Sequence, residues 1–127
     1  MAAVEKSPAD KLKDEGNALF AIEHYREALV KYTEAIDLDP KNEIYWCNRA
    51  FANLKCENFG AAITDASQSI QLNPRHVKAY FHRGTAHFIL THLDDALKDF
   101  QAVRKTGPFA LHSHFHPSTD TCLPFTP

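Results

Sequence analysis

The stretch from Trp46 to Pro74, WCNRAFANLKCENFGAAITDASQSIQLNP, decides how the chain is read. Alanine stands at 50, 62 and 66, a large ring at 46 and 59, and a proline closes the stretch at 74. A step of 34 residues in either direction brings back the same classes of side chain. Ala50 aligns with Gly16 and Gly84, Trp46 with Leu12 and Tyr80, and Phe59 with Tyr25 and Leu93. Ala62 aligns with Ala28 and Ala96, Ala66 with Tyr32 and Phe100, Ser69 with Ala35 and Val103, and Pro74 with Pro40 and Pro108. Small residues recur where two helices must approach closely, and large ones where the gap between helices must be filled. Proline recurs where it stops a helix and sets the following turn. One supersecondary unit is therefore repeated three times.

Each unit reads as two helices joined by a short turn. The spacing predicts first helices over 8–22, 42–55 and 76–90, and second helices over 25–38, 59–72 and 93–105. Ser7 is placed to cap the first helix, with Pro8 in its first turn and Asp10 three residues after the cap. Asn42 is placed to cap the third helix, and Asp94 and Asp95 suit the dipole at the start of the last. The period, the alanines and the closing proline resemble the tetratricopeptide (TPR) pattern. That implies an all-α solenoid of three helix-turn-helix repeats, six helices in all. The expected organisation is an N-terminal extension over 1–7 and a repeat domain over 8–108, with repeats 9–42, 43–76 and 77–108. The tail over 109–127 has no helical period and is expected to be disordered. It stands where an array of this kind carries a polar capping helix, and so reads as joined on to a truncated or alternatively spliced array.

Composition narrows the function. Hydrophobic residues make up 44% of the 127, enough for a packed core, and charged residues 24%, with a formal net charge of −2. A chain so nearly balanced lacks the basic field of a nucleic-acid binder. No apolar run approaches the ~20 residues of a membrane span, and Met1 to Lys11 lacks the apolar stretch of a signal peptide. Cytoplasmic location is expected, with the nucleus as the second compartment. Cys47, Cys56 and Cys122 are odd in number and form no C-x-x-C pair, which fits reduced thiols. There is no Gly-rich phosphate loop, nucleophile elbow or H-E-x-x-H, so no enzyme and no cofactor are expected. His112, His114 and His116 alternate in the tail as metal chelators can, but the plainer reading is a solvated tail.

Binding chemistry is sought on the first helix of each pair, which lines the concave face of such a stack. The polar residues there that lie outside the core columns are Lys13 and Asn17, then Asn48, then Lys78 and His82. Lys13 and Asn17 share a helix face at i, i+4, as do Lys78 and His82. Two lysines and two amides on one groove suit an anion with several oxygens, such as a terminal carboxylate.

These residues carry a closer resemblance. Lys13-Asp14-Glu15-Gly16-Asn17, Asn48-Arg49-Ala50 and Lys78-Ala79-Tyr80 resemble the carboxylate-clamp subgroup of TPR domains. In that subgroup Lys-x-x-x-Asn, Asn and Lys-x-x-x-Arg grip the C-terminal Glu-Glu-Val-Asp of the heat-shock protein 90 and heat-shock protein 70 chaperones. The resemblance implies a co-chaperone-type adaptor in which Lys13, Asn17, Asn48 and Lys78 hold the peptide carboxylates. His82 stands where the arginine belongs. Arg83 is next to it but roughly 100° round the helix, so the clamp is expected to be weakened, or to bind better at mildly acid pH. Residues 44–52, 57–66 and 96–100 resemble the N-terminal domains of type 5 serine/threonine phosphatases, without the metal-binding motifs of their catalytic part. Two further readings stand beside this one: a groove for another peptide, and a regulatory fragment acting in self-assembly or inhibition. Self-association would use apolar surface around Ala96, Phe100 and Val103, unless Phe109, Leu111 or Phe115 covers it.

Overall fold

A computed structural model describes residues 5–106. It contains six helices in antiparallel pairs: α1 (Pro8–Ala21), α2 (Tyr25–Leu38), α3 (Glu43–Lys55), α4 (Phe59–Leu72), α5 (Val77–Ile89) and α6 (Leu93–Thr106). No strand occurs among the described residues, and each helix lies within a residue or so of its expected bounds. Among the described residues no helix is long and apolar enough to cross a membrane. Helices adjacent in sequence pack on one another, and α3 also touches α5, so the first helices of the pairs lie side by side. The expected tail, the boundary at 108, Cys122 and the alternating histidines fall outside the described residues, as do Phe109, Leu111 and Phe115.

The caps form as the side chains dictate. Ser7 Oγ accepts the Asp10 N–H at 3.1 Å with Pro8 at the first helical position, and Asn42 Oδ1 accepts the Ile44 N–H at 2.9 Å. The turn inside each pair was not legible in advance. Glu23, Glu57 and Thr91, one per repeat, all have φ between 62° and 66°. In each turn the next residue donates its N–H back five positions at 2.8 Å: His24 to Leu19, Asn58 to Asn53 and His92 to His87. This is the Schellman ending usually made with glycine. Here it is made three times by other residues, because the closing hydrogen bonds and the packing of each pair hold the left-handed residue in place.

The recurring columns explain the packing. Ala28, Ala62 and Ala96 are buried at the contact between paired helices. The column of Gly16, Ala50 and Gly84 faces the column of Tyr32, Ala66 and Phe100 with complementary sizes. A Cβ on Gly16 would meet the Tyr32 ring at 2.6 Å, and one on Gly84 would meet the Phe100 ring at 2.8 Å. In the middle repeat both positions are alanine. The prolines also act through their carbonyls: Pro40 O accepts from Trp46 Nε1 and Pro74 O from the Tyr80 hydroxyl, each at 2.8 Å.

An ion pair recurs with the same period. Arg49 forks onto Asp65 at 2.9 and 2.8 Å and reaches Thr33 at 3.2 Å; Arg83 does the same with Asp99 and Ser67. In the first repeat the signs are exchanged, with Lys31 Nζ 3.1 Å from Glu15 Oε1. One expectation about the last repeat is corrected. Ala96 is 2% exposed and packed inside its own pair, so it belongs to no open patch, whereas Phe100, which lies over Gly84, and Val103 are half-buried. The exposed apolar residues of α6 are Leu93 and Leu97.

Candidate functional site

The predicted polar residues lie on the first helices of the three pairs, and the structure brings Asn17 and Asn48 together. On α1 the Lys13 ammonium lies 3.7 Å from Asp14 and 4.0 Å from Asp10, with about a quarter of its side chain exposed. One turn on, Asn17 Oδ1 accepts from the Tyr32 hydroxyl at 2.6 Å and from Asn48 Nδ2 at 3.4 Å. Asn17 and Asn48 therefore meet across the α1–α3 contact. The Tyr32 phenol is well suited to its role: burial pushes its pKa up to about 12, so it remains a donor. Asn17 is exposed, and its side-chain oxygen is taken by these two donors.

Lys78 is exposed near the start of α5, and its charge lowers the pKa of both His82 on its own helix and Cys47 on α3. Burial outweighs it at Cys47, whose thiol is pushed up to about 12. Cys47 and Cys56 form no disulfide among the described residues.

His82 differs from its expectation. It is only 7% exposed, its ring stacks on Phe51 at 4.4 Å and 15°, and its Nδ1 is buried without a hydrogen-bond partner among the described residues. Burial, then Lys78, then His76, push its pKa down to about 4. The ring is neutral through the mildly acid range, so the expected gain of binding there is withdrawn: protonation would put an unpartnered charge into an apolar stack. Arg83 cannot replace the missing arginine, because its fork is committed to Asp99 on α6.

Two site residues escaped the sequence reading. Phe20 packs on Phe51 at 4.8 Å, so Phe20, Phe51 and His82 form an aromatic ladder from α1 through α3 to α5. Beside it lies a depression of about 210 Å³ lined by Asn17, Phe20, Ala21, Tyr32, Asn48 and Phe51. The available signal was the column of Asn17, Phe51 and Thr85, where an apolar ring interrupts polar residues. The depression thus joins the Asn17 and Asn48 amides to an apolar floor.

The comparisons with known proteins follow this geometry. The TPR repeat family profile matches residues 16–56. The second TPR of Spaghetti (RPAP3), a structure bound to the HSP90 peptide SRMEEVD, superposes with a TM-score of 0.76 at 37% identity, covering 77% of this chain and 91% of that one. The chain belongs to the tetratricopeptide repeat family. Human small glutamine-rich tetratricopeptide repeat-containing protein beta is 51% identical over 57 residues, 45% of this chain and 19% of that protein. Human serine/threonine-protein phosphatase 5 is 41% identical over 58 residues, 46% of this chain and 12% of that protein. The TPR chain thus matches a fifth or less of the length of these curated relatives. The tetratricopeptide repeat is not an enzyme family, and the phosphatase likeness is confined to the repeats.

Proposed function

We propose that this chain is a co-chaperone-type adaptor whose groove holds the acidic C-terminal Glu-Glu-Val-Asp peptide of heat-shock protein 90 or heat-shock protein 70. The observation that supports the reading is the meeting of Asn17 and Asn48 from two repeats, with the Asn17 oxygen held by Tyr32 and Asn48, beside the depression over Phe20 and Phe51. In this reading Lys13, Asn17, Asn48 and Lys78 take the terminal carboxylates. The depression over Phe20 and Phe51 takes the apolar side chain next to the end. His82 contributes its ring, extending the apolar floor, and not a charge. Residues 8–108 act as the binding domain, working in the cytoplasm. The bound peptide of the Spaghetti TPR ends in the same four residues and supports the choice of ligand.

Each charge-assisted hydrogen bond contributes ~1.5–3 kcal/mol, much of it offset by ordering the peptide. A net of about −7 to −8 kcal/mol, a micromolar dissociation constant, follows. The test is calorimetric titration with a peptide ending in Glu-Glu-Val-Asp, against the same peptide amidated at its C-terminus. Micromolar binding lost on amidation is expected. Equal binding of both peptides, or none by a chain with a helical circular dichroism spectrum, rejects the clamp.

A further inference from the structure

The turn joining α5 to α6 gathers three side chains that the groove does not use. His87 lies in the last turn of α5, His92 is the residue before α6, and Asp95 is in the first turn of α6. The His87 and His92 Nδ1 atoms are 3.2 Å apart, and one ligand atom from each of the three residues lies within 4.8 Å of the others. Two nitrogens bound to one tetrahedral zinc at ~2.0–2.1 Å stand about 3.3 Å apart. The two imidazoles are therefore already at the separation a shared ion requires, and a small swing of the exposed Asp95 carboxylate completes a third ligand.

We propose that His87, His92 and Asp95 form a zinc-type divalent cation site that ties the last helix pair together. The backbone pre-sets the pair, since the His92 N–H donates to the His87 carbonyl at 2.8 Å and anchors both side chains to one turn. The equivalent positions in the other repeats show how the corner is usually closed. Asn58 Nδ2 donates to Asn53 Oδ1 at 3.4 Å in the middle repeat, and His24 pairs with Glu27 at 2.9 Å beside Leu19 in the first. The third repeat combines both solutions, two facing side chains and a His–carboxylate step, and so assembles three metal-ligating groups. The carbonyl end of α5 favours a cation, and Asp94 and Asp95 counter the opposing start of α6. Two imidazoles and one carboxylate select zinc and its neighbours over calcium or magnesium, which prefer oxygen throughout. Three protein ligands leave a position for water or for a side chain of another molecule.

The test is calorimetric titration of the full chain with zinc chloride, with the thermal midpoint as a second readout. Because the tail carries His112, His114 and His116, three proteins are compared. These are the natural chain, His87→Asn with His92→Asn, and His112→Ser with His114→Ser and His116→Ser. The asparagine pair is what the middle repeat carries at this corner, so the turn tolerates it. The natural chain and the tail variant are expected to bind zinc with similar affinity at a common site and to melt higher with it. The asparagine pair should weaken that binding at least about tenfold and remove the rise in midpoint. A fourth protein, Asp95→Asn, leaves the turn untouched and is expected to weaken binding as well. Zinc affinity unchanged by both the asparagine pair and Asp95→Asn, affinity lost with the tail histidines, or no zinc binding by the natural chain overturns the proposal.

Discussion

His82 lies face to face with Phe51 and has a buried ring nitrogen with no hydrogen-bond partner among the described residues. Its pKa in the folded chain, about 4, is below its ordinary 6.5. Between those values the unfolded chain binds the proton that the folded chain refuses, so stability is complete above about pH 6.5 and falls as the pH drops toward 4. Roughly 2–3 kcal/mol is at stake. Urea unfolding at pH 7 and pH 4.5 should show a smaller loss for His82→Phe, which keeps the stack without titrating, than for the natural chain. A second substitution probes binding. His82→Arg restores a forked cation that can stack on Phe51 while its donors reach the groove, and calorimetry should find the Glu-Glu-Val-Asp peptide held about tenfold tighter, ~1.4 kcal/mol. Weaker binding would mean that the histidine ring itself is a ligand contact.

At the scale of the helix pair, fold and site are coupled through Gly16. Its missing Cβ lets Tyr32 lie against α1, and the same tyrosine orients Asn17 through its hydroxyl. Gly16→Ala gains up to about 1 kcal/mol of helix propensity but pushes on a ring that is buried and hydrogen-bonded, at a cost of ~1–3 kcal/mol. The expected result is a lower urea midpoint together with weaker peptide binding, because the displaced ring no longer holds the Asn17 amide. An unchanged affinity in a destabilised Gly16→Ala variant would uncouple Tyr32 from the groove. The helix bounds were legible because the columns recur at one period, proline follows the second helices, and Ser7 and Asn42 cap α1 and α3. The left-handed residues of the turns were not, since glutamate and threonine give no local sign of positive φ.

Across the whole molecule, the net charge of −2 rules out general attraction for an acidic peptide, so binding has to come from the few cations on the groove. Lys78 is exposed and belongs to no core column, so Lys78→Ala should leave the helical circular dichroism signal and the melting curve unchanged. The same change should weaken the Glu-Glu-Val-Asp peptide at least tenfold, since a charge-assisted contact is worth ~1.5–3 kcal/mol. The remaining affinity should also depend less on salt than that of the natural chain, because one partner of the screened attraction is gone. Full affinity in Lys78→Ala would remove the lysine from the site.

The sequence alone determined the number of units, their period, the class of every helix and the five polar candidates, because each is written in spacing or residue type, and both survive without coordinates. The tertiary structure decided what those candidates become. Asn17 and Asn48 are 31 positions apart, and only the packing of α1 on α3 brings them together. Arg83 lies next to His82 in the chain, yet the packing of α6 on α5 commits it to Asp99. His82 reads as a polar residue on a binding face, and its burial against Phe51 follows from how closely α3 and α5 pack. The approach of His87 to His92 is likewise a product of the turn geometry. Identity and spacing are local properties, whereas burial and partnership depend on which helices pack together.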